Sequence, residues 1–239
     1  MTVIVVTGTS TDVGKTVVTA AVAVGYERAG ASVAVCKPAQ TGVAADEDGD
    51  LAVVARLSDP QRRREYRECA RYPDPLAPSV AARRSGLAFV TVAEIVDAVD
   101  DLRSRSDVVL VEGAGGVAVP FDDVGTTLLD VVTALTASVV VVTHPGLGSL
   151  NQAALTVGAV RQRDSCLLGL VLGSWPDAPD LAAATNRTEL PAVTGVPIIG
   201  AVPCGAGTLD AAMFVDRAPD WIDRSFLPLD PTPDLRSAP

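Results

Sequence analysis

The apolar run Val3-Ile4-Val5-Val6 breaks into Gly8-Thr9-Ser10-Thr11-Asp12-Val13-Gly14-Lys15-Thr16. Beyond it, Val18, Ala21, Val22 and Gly25 return at helical spacing over residues 15–29. A short, wholly apolar β-branched run reads as a strand buried on both faces. A glycine-rich turn between such a strand and a helix aims several backbone N–H groups at one point, and the helix N-terminus adds partial positive charge there. That arrangement is a phosphate cradle. Lys15 would reach the β- and γ-phosphates, and the Thr16 hydroxyl would bind Mg²⁺. The usual phosphate loop has four residues between its first glycine and Gly-Lys. Here five intervene, Thr9 to Val13, so the loop is one residue longer.

The rest of the chain repeats the alternation. Apolar strands are expected at residues 32–36, Val108–Val111, Val139–Thr143, Leu167–Leu172 and Val196–Val202. Helical patterns fall between most of them, among them Asp50 to Leu57 and a segment opened by the capping box Thr91-Val92-Ala93-Glu94 and running to about Arg103. Alternating strands and helices imply one doubly wound, mostly parallel α/β sheet with helices on both faces, of the P-loop NTPase type. Residues 61–86 resist assignment, being arginine-rich and then proline-rich (Pro73, Pro75, Pro78). The run Arg62, Arg63, Arg64, Arg67 and Arg71, with Glu65 and Glu68 interleaved, reads as a solvated helix face. No internal repeat or linker divides the chain, so residues 1–225 are expected to form one domain, followed by a loosely ordered Pro-rich tail, 226–239.

The chain has two lysines among its 19 basic residues. Lys15 closes the phosphate loop, and Lys37 ends the strand Val33-Ala34-Val35-Cys36. Keeping lysine at just these positions suggests a need for a compact ammonium rather than a planar guanidinium, as in phosphoryl transfer. Magnesium held by one hydroxyl and phosphate oxygens also wants carboxylates. Glu112 is one candidate, at the end of Val108–Val111 and just before Gly113-Ala114-Gly115-Gly116, because strand ends are where open α/β sheets bind ligands. Asp50 ends the cluster Asp46-Glu47-Asp48-Gly49-Asp50, which by local pattern reads as a solvated loop with a helix N-cap. It is not an EF-hand, since Leu51 and Leu57 stand where glycine and glutamate are required.

Other signals exclude more than they assert. A formal charge of −10 argues against nucleic acid as a partner. No apolar stretch approaches the roughly 20 residues of a membrane span, and no basic leader precedes one, so a cytoplasmic location is expected. Cys36, Cys69, Cys166 and Cys204 are scattered and read as reduced thiols. His144, the single histidine, reads as a polar strand-end residue, which makes a hydrolytic triad a poor expectation.

Four segments in order, Gly8-Thr9-x-Thr11-x-x-Gly14-Lys15-Thr16, Cys36-Lys37-Pro38-x-x-Thr41-Gly42, Val111-Glu112-Gly113-Ala114-Gly115-Gly116 and Leu147-Gly148-x-Leu150-Asn151, resemble the ATP-dependent dethiobiotin synthetases. The resemblance spans residue 1 to about residue 210. It implies an enzyme that joins CO₂ to 7,8-diaminononanoate and closes the ureido ring with MgATP. It also implies that Asp12, Val13, Gly14, Lys15, Thr16 and Val17 cradle the phosphates, and that Thr16, Asp50 and Glu112 hold Mg²⁺. By the same resemblance Lys37 is the catalytic lysine and Thr41 a substrate-contacting hydroxyl, while Glu112, Gly113, Ala114 and Gly115 touch nucleotide and diamine. Gly148, Ser149, Leu150 and Asn151 would open a helix that receives the substrate carboxylate across a homodimer interface. The family often reads adenine with Asn-Asp after the late apolar strand. Here Gly173 and Ser174 stand there, with the loop Pro203-Cys204-Gly205 also placed near the base, so relaxed base selectivity is expected.

Two alternatives are weighed against this. An amide-forming ligase of the cobyrinate type would need an attached glutaminase domain, for which 239 residues leave no room. A switch or partition ATPase would carry an additional lysine early in its loop, and none precedes Lys15.

Overall fold

The computed structural model describes residues 1–226. Phe226 ends a 3-10 turn, Arg224–Phe226, and the rest of the Pro-rich tail lies outside the described residues. The chain alternates almost throughout. It runs β1 (Thr2–Gly8), α1 (Lys15–Arg28), β2 (Val33–Thr41), α2 (Asp50–Arg56), β3 (Glu65–Tyr72), α3 (Pro78–Ser85), α4 (Val92–Arg103) and β4 (Val108–Gly116). There follow α5 (Leu128–Leu135), β5 (Ser138–Thr143), α6 (Ser149–Arg161), β6 (Leu167–Trp175), α7 (Leu181–Thr194), β7 (Ile198–Pro203) and α8 (Ala211–Arg217).

The strands form one 7-stranded sheet in the order β3-β2-β4-β1-β5-β6-β7, and every pairing between them is parallel. Within β1 the side chains alternate between two cores. Val3 and Val5 join α3 to α7 on one face, while Ile4 and Val6 join α1, α2 and α8 on the other. Parallel pairing puts the C-terminal ends of all strands on one edge. The loop after β1, with the candidate phosphate groups, and the C-terminal halves of β2 and β4, with Lys37 and Glu112, therefore meet there.

The capping box at Thr91 and Glu94 forms as expected, with Glu94 N–H donating to Thr91 Oγ1 and Thr91 N–H to Glu94 Oε2. A second one, Thr127 with Asp130, opens α5.

The arginine run is corrected. It is not a helix face. From Glu65 onward it is β3, the edge strand beside β2. Arg64 is buried, with Nε donating to Glu27 Oε1 at 3.0 Å, another guanidinium nitrogen 2.9 Å from Glu27 Oε2, and a further bond to Ser58 Oγ. Removing one partner of a buried pair leaves the other charge uncompensated, so Arg64→Ala is expected to cost about 3–5 kcal/mol. Chemical denaturation would measure it, and an unchanged midpoint would show that Glu27 finds other compensation. Arg71 pairs with Glu68 and donates to the carbonyls of Ala44 at 2.9 Å and Glu47 at 2.6 Å, fastening the acidic loop to the sheet. At the opposite edge, the segment after α8 lies against β7. Gly200 and Ile222 form an antiparallel bridge, and Asp223 N–H donates to Ile199 O at 2.7 Å.

Candidate active site

A cavity of about 730 Å³ opens at the C-terminal edge of the sheet. The phosphate loop forms one wall, the end of β2 and Asp50 a second, and residues 75–78 with Ala114, Gly115 and Val119 the rest. The loop is tied down at its start, where Thr9 N–H donates to Val142 O at 2.9 Å. Its longer path takes Asp12 and Gly14 through left-handed backbone, with φ of 58° and 93°. Gly14 lies flat against the end of β6. A Cβ on Gly14 would sit 2.4 Å from Gly173 O. Lys15 arcs back over the loop and donates to Ser10 O at 3.0 Å.

The decisive cluster lies beneath the cavity. Glu112 is fully buried midway along β4. Its Oε1 accepts from Thr16 Oγ1 at 2.9 Å and from Lys37 Nζ at 2.7 Å. Lys37 also pairs with Asp50 Oδ2 and donates to Gly113 O at 3.3 Å. The structure thus places Asp50 on Lys37, while Asp48 remains exposed.

Electrostatics follow from this packing. Burial acts to lower the Lys37 ammonium, but the charges and hydrogen bonds of Glu112 and Asp50 outweigh it and hold Lys37 above the usual range. Burial and the Lys37 charge lower Lys15. For Asp50, burial pulls upward, and the charge and hydrogen bond of Lys37 more than offset it. Glu112 Oε2 is buried without a hydrogen-bond partner among the described residues. An orphaned buried carboxylate oxygen beside a hydroxyl and a second carboxylate is a set of hard oxygen donors, which suits Mg²⁺. Among the described residues no group of three or more His, Cys, Asp or Glu side chains is placed to hold a metal ion, so such an ion would need phosphate oxygens to complete its shell.

The chain matches a family model described as AAA domain over residues 2–208. It is 53% identical to an ATP-dependent dethiobiotin synthetase of Rhodococcus jostii, with 95% of this chain and 97% of that one covered. The corresponding figures are 55%, 91% and 94% for the synthetase of Saccharopolyspora erythraea, and 44%, 95% and 98% for that of Mycobacterium bovis. The chain belongs to the ATP-dependent dethiobiotin synthetase family. The solved septum site-determining protein MinD of Pyrococcus horikoshii, complexed with Mg-ADP, covers 95% of the chain and is itself covered over 93%, at a TM-score of 0.54 and 16% identity. At that identity the likeness shows the nucleotide-binding fold alone.

Not every residue expected of a dethiobiotin synthetase site lines the cavity. Asp12, Gly14 to Val17, Lys37, Thr41, Asp50, Ala114 and Gly115 do. The side chain of Val13 is core. Gly148 to Asn151, after β5, and Pro203 to Gly205, at the end of β7 and just beyond it, lie outside that cavity on the same edge of the sheet. Gly148 caps α6 with φ 89°, and no side chain caps that first turn. The turn is clamped from α7, since the buried Asn186 Nδ2 lies 2.8 Å from Pro145 O and 2.9 Å from Gly146 O. His144 accepts from Gly146 N–H at 3.2 Å, a strand-end role as expected. Ser174, Cys204 and Gly205 are exposed, with Cys204 N–H bound to Trp175 O at 2.7 Å. Gly173 is buried against the phosphate loop rather than open to a base. Sequence reasoning missed Gln40, whose Oε1 accepts Asp50 N–H at 2.8 Å. It also missed residues 75–78, whose one signal was the run of prolines. All four cysteines are free, and Cys36 and Cys69 Sγ lie 3.8 Å apart on neighbouring strands.

Proposed function

We propose that this chain is an ATP-dependent dethiobiotin synthetase, a carbon–nitrogen ligase of biotin biosynthesis, that joins CO₂ to 7,8-diaminononanoate. One observation carries the reading. The second of the chain's two lysines, Lys37, is held by Glu112 and Asp50 in the same cavity as the phosphate loop. An amine of the substrate takes up CO₂ as a carbamate. The carbamate oxygen attacks the γ-phosphorus of ATP to give a carbamic–phosphoric anhydride and ADP. The second amine attacks the carbonyl, closes the ring and releases phosphate.

The residues act by position and charge rather than as covalent nucleophiles. Lys15 and Lys37 bring ammonium groups to the transferring phosphoryl group, and the loop from Asp12 to Val17 brings backbone donors. Thr16, Asp50 and Glu112 would hold Mg²⁺, which when bound supplies charge neutralisation at the phosphate oxygens. Thr41 borders the cavity where the diamine would lie. The cavity holds both amines near one carbonyl, which removes the entropy cost of a bimolecular closure.

The reading extends to a single catalytic domain over residues 1–225, a cytoplasmic location, and a homodimer in which the free end of α6, Gly148 to Asn151, receives the substrate carboxylate. Leu147, just before α6, and Leu155, within it, are 86% and 67% exposed apolar side chains that a second copy would cover.

The test is phosphate release from MgATP and bicarbonate, with and without 7,8-diaminononanoate, with mass spectrometry of the products. Diamine-dependent release with one dethiobiotin per phosphate is expected. Release indifferent to the diamine and without a new product would point instead to a switch ATPase.

Base recognition is expected to be loose. Ser174 is exposed and offers a single hydroxyl to the base, where an amide could pair with two edges. Comparable kcat/KM for several nucleoside triphosphates is the expected result. A strict preference for ATP would sink the idea.

A further inference from the structure

One oxygen of each carboxylate suited to a cation is already engaged by a lysine. Lys37 is 2% exposed and touches both carboxylates of the cluster, Glu112 Oε1 at 2.7 Å and Asp50 Oδ2. Thr16 Oγ1 donates to the same Glu112 oxygen at 2.9 Å. All three oxygen-bearing side chains of the cluster are therefore linked through one carboxylate and one ammonium. Lys15 and Lys37 stand against Asp50 and Glu112, Lys15 lies near enough to feel all three of the others, and the exposed Asp12 is also within its reach. A divalent cation entering alone would add two charges to this cluster and would meet the buried Lys37 ammonium at contact distance. Such repulsion is little screened away from water. The same cation arriving with a triphosphate brings its own compensation.

We propose that Lys37 is the resident counter-ion of Asp50 and Glu112 in the nucleotide-free protein, and that Lys37 and a divalent cation exclude each other from these carboxylates. The cation is then admitted together with the phosphates that offset the added charge, and Lys37 is released from its carboxylates by the same event. Lysine release and metal arrival become one exchange. The residue that supplies positive charge to the phosphoryl group is tied up until a metal–nucleotide complex is in place. This rests on the reading of Thr16, Asp50 and Glu112 as the cation ligands.

The test uses Mn²⁺ as the probe, its free fraction counted by electron paramagnetic resonance in the full-length protein without nucleotide. Wild type is expected to bind weakly. Lys37→Gln is expected to tighten binding by about tenfold or more, since it removes the competing charge. Lys37→Arg retains that charge and is expected to stay weak. Adding Glu112→Gln to Lys37→Gln is expected to abolish the gain. Far-ultraviolet circular dichroism reports whether each variant is folded. If folded Lys37→Gln binds Mn²⁺ no more tightly than wild type, while Glu112→Gln still weakens Mn²⁺ binding in the presence of ATP, the ligand reading stands and the exchange is wrong. If neither Asp50→Asn nor Glu112→Gln alters Mn²⁺ binding with ATP, the ligand reading is wrong and the exchange falls with it.

Discussion

Lys37→Ala is expected to lower kcat for dethiobiotin formation by about 10²–10³-fold, the scale on which removal of one preorganised charge or donor is felt at a reacting centre. The argument is one of placement. Lys37 lies midway along β2, is almost fully buried, and borders the cavity walled by the phosphate loop. No other lysine besides Lys15 exists to take over. Its loss also leaves Asp50 and Glu112 facing one another without their counter-charge, so a drop in thermal stability accompanies the drop in rate. The two effects separate experimentally. Single-turnover product formation, measured well below the melting temperature of the variant, reports chemistry alone. A folded Lys37→Ala protein that keeps more than a tenth of the wild-type rate would remove Lys37 from the chemical step. Arginine is not an adequate replacement in catalysis, since a planar guanidinium keeps the charge beside the carboxylates without the compact ammonium that the phosphoryl group would meet.

Gly173→Ala is expected to be nearly as damaging, although glycine carries no chemistry. A Cβ there would lie 1.9 Å from Val13 O and 2.7 Å from Val142 Cγ1. The first of these is backbone of the phosphate loop and cannot rotate away. The loop must shift, and a displacement of about 1 Å in a positioning element can cost on the order of 10²-fold in activity. The overpacking itself costs about 1–3 kcal/mol. Calorimetric titration with a nonhydrolysable ATP analogue should show the affinity loss directly. Gly158→Ala is the contrast. A Cβ there meets nothing within 4 Å, so nucleotide binding is expected to stay unchanged. An unaltered affinity in Gly173→Ala would mean that the loop tolerates a second position.

The main lines of the fold and half of the site were legible because they rest on local chemistry. β1, the phosphate loop and α1 follow from a buried run, a glycine turn and helical spacing, and Thr91 with Glu94 marks a helix start without help from tertiary structure. β3 was not legible. An edge strand half open to solvent keeps charged residues on its accessible side, so Glu65 to Tyr72 shows no apolar run, and its charges mimic an exposed helix. Arg64 looked like its neighbours, and only its approach to Glu27 across 37 residues makes it a core group. That Asp50 rather than Asp48 pairs with Lys37 could not be read from spacing. Gln40 and Arg71 fix how the loop returns to β2. Gly173 is expected on the base side because it stands where the resembling family reads adenine, whereas its contact with Val13 is made by the packing of β6 beneath a loop 160 residues earlier.

The two outer strands leave the sheet little room to grow. At β7 the backbone groups of Ile199 and Ala201 are taken by Asp223 and Trp221 of the same chain, so that border is closed by an internal splint. At β3 the border is open but studded with Glu65, Arg67, Glu68 and Arg71, and a second strand laid alongside would have to strip water from these charges. The Arg71 that keeps a foreign strand away is also the one that grips the loop leading to Asp50. One guanidinium thus shares in resisting fibril-like stacking and also holds the loop that sets Asp50 beside Lys37, and a surface charge swap made to improve solubility at this position would be felt at the site.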